Sequence, residues 1–408
     1  MRNFKRLAVI LTATTLFGST LTGCGVQGSI EDTKEPTQVE VTNPTEDKTV
    51  ETTPEKVDEV KEDHGKLSVS YPNGNIRATV NIIALDKGYF EEEGVEIEAI
   101  AIGGNDALTA INEESGQLDI LNVGFVPDVQ AIGAGYDLTF FGGTAVEGGA
   151  VIAKKGNADK FKGTDKLLDF DAFVSSKLGF VRNESAWVIA RQYLLDNGVD
   201  NEVIKGIEDE ASGNILYYGE PIETAQAVQK GEVELGFLPM EFALLYADAY
   251  DLEIVAAAGD LEPNYVCCRE VTSKKRYTEK YDAFVAYEKA RIKAFEYYKL
   301  GETDDAVRAD IVKIVADYSG KELDYVETYL YGGVTKLAVD PNAKGVAKFI
   351  EAANNSGLLS SSATDFSTYD ISQNIDTTAY KAALDELIAE NPDNAFYADL
   401  LAEYNAAN

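Results

Sequence analysis

The chain has 408 residues, with 70 acidic side chains against 36 basic ones, one histidine and a formal net charge of −34. That excess of negative charge argues against nucleic acid and anionic membrane surfaces as partners, because both repel it. The lone histidine, His64, precedes the part that reads as folded. That part therefore holds no Cys–His or Ser–His pair and no histidine metal ligand, which removes most hydrolase and metalloenzyme chemistry and calls for no cofactor.

The chain begins "MRNFKRLAVILTATTLFGSTLTGCG", with Arg2, Lys5 and Arg6 ahead of an apolar stretch, Leu7 to Thr20, too short to span a bilayer. This is the pattern of an export signal. Its end, Leu21-Thr22-Gly23-Cys24, resembles the bacterial lipobox, in which the cysteine becomes the lipidated first residue of the mature chain. Residues 1–23 then form the signal peptide, and Cys24 is the expected lipidation site. The resemblance implies more than one acyl chain, in keeping with the two membrane signals that stable anchoring requires. Residues 25–65 carry three prolines, seven threonines and twelve acidic residues without an aromatic. Such a segment buries too little apolar surface to offset its ordering entropy, so 24–65 is expected to be a disordered acidic tether. Its coil length of roughly 35 Å would either hold a domain clear of the membrane or act as a plain spacer.

From Lys66 the pattern changes. "KLSVSYPNGN" reads as an alternating strand and loop, "IRATVNIIALDKGYFEEEG" as a helix, "VEIEAIAIGG" as a strand, "NDALTAINEESG" as a helix with Asn105 as cap, and "LDILNVGF" as a strand. "SKLGFVRNES", "AWVIARQYLLDNGV", "NILYYG", "EPIETAQAVQKG" and "VELGFLPM" repeat that order. The echo extends to short phrases: "SGQLDI" and "VGFVPD" (115–120, 123–128) against "KGEVEL" and "LGFLPM" (230–235, 235–240), then "YDLTFFGG" against "YDLEIVAAAG". Two copies cannot make a solenoid, which needs at least three repeats, so the chain builds a similar α/β half-domain twice. After residue 260 the text is mainly amphipathic helix, expected to pack mostly around the first lobe. The expected division is 66–150 with 260–408 as a discontinuous first lobe and 151–259 as the second. The chain would then cross near 146–165 and 256–262, the arrangement of a hinge closing on a ligand.

The export and lipidation signals, "ALDKGYFEEEGVEIE", "ALTAINEESGQLDI" and "AQAVQKGEVELGF" together resemble one family. It is the solute-binding component of bacterial ABC importers for nitrate, sulfonates, taurine and thiamine-pyrimidine precursors. The likeness covers about residues 66–300. It implies a two-lobed, clamshell periplasmic-binding-protein fold of type II with extra C-terminal helices, no catalysis, and a monomer on the extracytoplasmic face of the membrane. It further implies a small solute (a sulfonate, a nitrate-like anion or a pyrimidine precursor) passed to a permease with its ATPase. A lipid-anchored sensor and an enzyme like the eukaryotic thiamine-pyrimidine synthase are the other readings, the latter weakened by the missing histidine.

Ligands of open α/β sheets sit beyond the carboxyl ends of the strands. That rule selects Tyr71, Asn73, Asn75, Gly104, Asn105 and Phe125 in the first half and Asn183, Ser185, Trp187, Tyr218 and Glu241 in the second. "GGND" and "NES" each precede a helix and offer free amides to a polar or anionic group, or serve as ordinary caps. Trp187, the single tryptophan, is either a stacking platform or core. Glu241 favours a cationic or N–H-rich ligand, whereas Arg77, Arg182 and Arg269 could each pair with an anion, leaving the ligand charge open. "NYVCCREV" adds Tyr265 and Arg269 as contacts, with Cys267 and Cys268 either a vicinal disulfide or two buried thiols.

Overall fold

The computed structural model describes residues 62–72, 74–112, 117–182, 184–359 and 363–408. Cys24, the signal segment, nearly all of the tether, Asn73 and Asn183 lie outside the described residues, as does the Asn105 side chain. The described part begins at the end of the tether, where the His64 amide already donates to the Gly94 carbonyl at 2.9 Å.

The strands run in chain order as β1 (Gly65–Ser70), β2 (Val95–Ile100), β3 (Leu121–Gly124), β4 (Leu138–Gly143), β5 (Ala145–Val146) and β6 (Gly149–Lys154). They continue as β7 (Leu178–Val181), β8 (Ile215–Tyr218), β9 (Leu235–Pro239), β10 (Leu252–Ala257), β11 (Cys268–Ser273) and β12 (Lys336–Leu337). Two larger sheets result. In the first, β2 and β1 are parallel, Val69 bridges in parallel to Ile120 just ahead of β3, and β11 lies antiparallel between β3 and β4. The second has the order β10-β6-β9-β7-β8, with β7, β8 and β9 parallel and β6 antiparallel between β9 and β10. The two halves thus share one topology, a parallel trio followed by a strand entering from the other half. The echo in the sequence is this duplication. The chain leaves the first sheet after Gly143, enters the second at Gly149, and returns between Ala257 and Cys268.

Local structure follows the residues with a few shifts. The helix read across "IRATVNIIALDKGYFEEEG" breaks into Thr79–Lys87 and Tyr89–Glu92 at Gly88, whose φ of 76° suits a residue without Cβ. The helix after β2 starts at Gly104, so Asn105 lies inside it rather than capping it. β1 alternates in sequence yet is buried from Leu67 to Ser70, because it is an inner strand of its sheet. Its hydroxyls are satisfied inside the protein: Ser68 Oγ donates to Asp119 at 3.0 Å and Ser70 Oγ to the Ile102 carbonyl at 2.6 Å.

Among the C-terminal helices, Tyr281–Leu300 packs on Thr79–Lys87 and Thr378–Glu390, in the first lobe. Two others reach the second lobe: Leu323–Tyr331 lies on the helix Met240–Tyr246, and Ala343–Asn355 on the helix Ser185–Asp196. Among the described residues no helix is long and apolar enough to cross a membrane.

The first lobe is tied together by a buried ionic knot. The wholly buried Arg291 donates to Glu288 at 2.7 and 2.8 Å, to Asn81 Oδ1 at 2.8 Å and to the Gly143 carbonyl, and its Nη2 lies 3.4 Å from Glu270. Glu270 also accepts from Asn81 at 3.0 Å, Asn122 at 3.2 Å and Tyr287 at 3.3 Å. Burial pushes both carboxyls upward, Glu288 to about 8, with the guanidinium opposing it. Removing the one cation of such a cluster strands its acids. Arg291→Met should therefore cost about 3–5 kcal/mol in chemical denaturation. Arg182→Ala, which breaks an exposed pair with Glu210, should cost no more than about 1 kcal/mol.

Candidate functional site

The strand ends of the two sheets meet along a seam, and Arg77 stands on it. The Asn75 side chain accepts from the Arg77 amide at 2.9 Å, and the Asn75 amide donates to the Pro72 carbonyl at 3.1 Å, which shapes the turn between β1 and the first helix. From there the Arg77 guanidinium reaches 2.9 Å from Glu241, at the start of the helix that follows β9 in the other lobe. The Tyr325 hydroxyl, from the C-terminal helix Leu323–Tyr331, donates to the Glu241 main-chain carbonyl at 2.8 Å. One ion pair therefore joins the lobes, and a third element covers it.

Glu184 stands beside this pair. It is the N-cap of the helix Ser185–Asp196, its carboxylate accepting from the Ala186 amide at 3.0 Å. Ser185, expected as the cap, is instead the first helical residue. Burial raises Glu184 to about 7; the Ala186 amide and Arg77 oppose the rise and Glu241 adds to it. On the return crossing, Cys267 and Cys268 are free, buried thiols with sulfurs 3.7 Å apart, and Arg77 Nη1 is 3.9 Å from the Cys268 sulfur. A hydrogen bond from Cys267 lowers the Cys268 thiol to about 7 against the effect of burial, with Arg77 assisting; Cys267 is held well above its ordinary value.

The seam leaves no room for side chains at Gly148 and Gly149. A Cβ at Gly148 would lie 2.8 Å from the Cys267 sulfur, and one at Gly149 would lie 2.9 Å from the Tyr265 hydroxyl. Around this constriction several buried polar atoms have no hydrogen-bond partner: both carboxyl oxygens of Asp128, both of Glu241, and the hydroxyl of Tyr329, while the Tyr265 hydroxyl has only the Ser185 side chain beside it. Glu241 is ion-paired with Arg77 without an aligned hydrogen bond. The charges of Glu241, Arg77 and the two cysteines act on Tyr329; those of the cysteines and Glu184 act on Tyr265. Cys268 and Glu270 act on Asp128, whose carboxyl burial holds well above the usual range. Each unsatisfied buried group costs about 1–3 kcal/mol, so such a concentration makes this the candidate site of the described residues.

The other expected contacts fall elsewhere. Tyr71 is buried edge-to-face on Tyr318, its hydroxyl also unpartnered, on the side of the seam toward Glu270. Gly104 is exposed, with open space around it. Two aromatics are corrected from ligand contact to core. Phe125 packs between Phe140 and Phe349, with ring centroids at 4.9 and 5.2 Å, and Trp187 stacks on Phe180 and abuts Phe237, both at 5.4 Å. Arg269 is corrected as well. Neighbouring side chains of a strand face opposite ways, so with Cys268 toward the seam Arg269 is buried on the other face of β11, where Asp340 is the acid acting on it. Tyr218 lies over Gly179 and Val233, on the opposite face of its sheet from Tyr217. Sequence reasoning read Asp128 as a solvated helix-start carboxylate, placed Glu184 among the strand-end loops and Arg77 as a possible partner for an anion, and passed over Tyr325 and Tyr329. Among the described residues no group of three or more His, Cys, Asp or Glu is placed to hold a metal ion.

No family model and no curated protein matches the chain. Solved structures do. The nitrate-binding protein NrtA from Synechocystis PCC 6803 superposes with a TM-score of 0.60 at 13% identity, covering 79% of this chain and 89% of that one. The ligand-binding component of an ABC-type import system from Staphylococcus aureus, a structure with zinc bound, gives 0.58 at 13% identity, over 78% and 99%. The alkanesulfonate-binding protein SsuA from Xanthomonas axonopodis pv. citri, bound to MOPS, gives 0.54 at 17% identity, over 76% and 98%. The chain has the periplasmic-binding-protein fold. The seam at Arg77 and Glu241 lies where the two sheets of that fold face one another.

The seam thiols give a direct check on this geometry. In the full chain carrying Cys24→Ser, ultraviolet thiolate absorbance should rise by one thiolate with a midpoint of about 7, and Cys268→Ser should abolish the step. Arg77→Ala should move the midpoint upward, because it removes a charge that favours the thiolate.

Proposed function

We propose that this chain is the extracytoplasmic solute-binding component of an ABC importer, held to the membrane by a lipid on Cys24 and capturing a small organic solute between its lobes. The observation that carries this reading is the set of buried groups short of hydrogen-bond partners (Asp128, Glu241, Tyr265 and Tyr329) gathered where the two duplicated sheets meet. The fold adds support, because the solved proteins that share it bind ligands for import. The acidic segment 24–65 acts as the tether, and residues 66–150 with 260–408 move against 151–259. A permease with its ATPase receives the solute, and the protein works as a monomer without catalysis. The site fits capture better than chemistry: its polar groups come from four separate segments that a change in lobe angle would separate.

Incubating the full chain with the dialysable fraction of a cell extract should raise its melting midpoint, and native mass spectrometry should show one added small molecule. Selective binding to the folded state at a hundredfold excess over Kd adds about 2.7 kcal/mol of stability. Arg77→Ala with Glu241→Ala should abolish both signals while leaving the far-ultraviolet circular dichroism unchanged. A chain that neither gains stability nor carries a molecule under these conditions is not a solute-binding protein. Cys24→Ser should move the protein from the washed membrane fraction to the soluble fraction; retention on the membrane would exclude the lipid anchor.

A further inference from the structure

The sequence leaves the sign of the ligand open because three arginines stand near cleft loops. The structure accounts for each of them. Arg77 is committed to Glu241 at 2.9 Å. Arg182 pairs with Glu210 at 3.0 Å on the surface and stacks 3.8 Å above the Tyr217 ring. Arg269 is buried on the far face of β11, where it donates to the Cys268 carbonyl at 2.8 Å and feels Asp340; its Nε and Nη2 have no partner, but they lie on the face away from Cys268. None of the three presents an uncommitted charge to the cleft.

The acids on the seam are less fully engaged. Glu241 shares its charge with Arg77 but has both oxygens without a hydrogen bond. Asp128 is also unpartnered, but burial holds its carboxyl well above the usual range, so it is a neutral acid rather than an anion. The Glu184 carboxylate receives one main-chain amide at 3.0 Å. The Tyr265 and Tyr329 hydroxyls can accept as well as donate. A nitrate or a sulfonate would bring further acceptors to a site already rich in them. We propose that the cleft binds an organic cation with N–H donors (a primary ammonium, amidinium or guanidinium) through Glu184, Glu241 and the hydroxyls of Tyr265 and Tyr329. This assignment rests on the solute-binding reading above and specifies its ligand class. The tyrosine rings add electron-rich faces suited to the same charge.

A proton linkage follows from the surroundings of Glu184. It faces the Ala186 amide and the Ser185 hydroxyl from its own helix, Glu241 from the helix after β9, Arg77 from the loop after β1, and Tyr265 from the return crossing. Burial raises it to about 7, with Glu241 adding, so near neutrality a large share of it carries a proton. A cation bound alongside favours the carboxylate and expels that proton. Affinity therefore rises as pH increases through about 7 and flattens above it.

The test is calorimetric titration of the full chain with butylamine, butylguanidine and benzamidine. Tetramethylammonium, butanamide, butanesulfonate and nitrate serve as counterparts, each in two buffers of different ionisation enthalpy. The three N–H cations should bind with release of about one proton and lose up to about tenfold in affinity per pH unit below neutrality. Glu184→Gln should remove the proton release and weaken binding by about tenfold or more. Glu241→Gln, which frees Arg77, should raise affinity for butanesulfonate. Binding of butanesulfonate or nitrate by the unaltered chain overturns the cation assignment and leaves the solute-binding reading standing. Equal binding of tetramethylammonium overturns the requirement for N–H donors, and equal binding of butanamide without proton release overturns the requirement for charge. Silence from every probe fails the assignment, and the extract experiment above then decides whether the broader reading fails with it.

Discussion

The ionic knot at Arg291 is the constraint on which the rest of the first lobe depends. A guanidinium with no exposed surface is tolerable only when its donors are engaged, and here they reach Glu288, Asn81, Glu270 and the end of β4. Those partners come from the helix Tyr281–Leu300, the first helix, β11 and the β4 terminus, with Asn122 of β3 attached through Glu270. One charge thus fixes the register of the return strand against everything around it. Cys268 lies two residues before Glu270 on the same strand, so it shares the face the knot holds. Arg77 lies four residues before Asn81. The knot therefore anchors the inner wall of the seam as well as the core.

Placed on that wall, the Arg77–Glu241 pair carries a different kind of information. Within one lobe it would be an ordinary partly buried ion pair; between lobes its separation depends on how far they are closed. The C-terminal helix Leu323–Tyr331 reinforces this through Tyr325, which donates to the Glu241 backbone, and Tyr329, which adds its hydroxyl to the same place. The helix Leu323–Tyr331 is thus part of the seam.

Much of the fold was legible in the sequence because its signals are local. Gly88 and Gly231 each end a helix with positive φ, and the repeated Gly-Phe-x-Pro marks the end of the third strand in each half. The partner of a crossing strand was not legible: nothing within "VCCREVTS" states that it will lie antiparallel between β3 and β4. The site divides in the same way. The rule of looking beyond strand ends selected Tyr71, Asn75 and Glu241, and the unusual "NYVCCREV" added Tyr265. It also drew in Phe125 and Trp187, since an aromatic after a strand looks the same whether it turns to ligand or core. Tyr325 and Tyr329 sit some eighty residues past Glu241 in a helix with no motif, and only tertiary packing brings them in. Asp128 read as a solvated helix-start carboxylate because its burial depends on Cys268 and Glu270, which arrive from far along the chain.

The shared topology has a consequence for how the molecule is made. β3 and β4 do not pair with each other; β11 lies between them, and it is synthesised only after the whole second sheet. The second sheet, by contrast, draws all five strands from the continuous stretch 149–257. As the chain is made, the stretch 149–257 can complete its sheet first. Residues 65–143 must wait, with a gap in their sheet, for residues 268–273. Sequence separations of this size slow folding and prolong the exposure of unpaired edges. The N-terminal lobe is therefore the last to finish and the part of the newborn protein most in need of shielding.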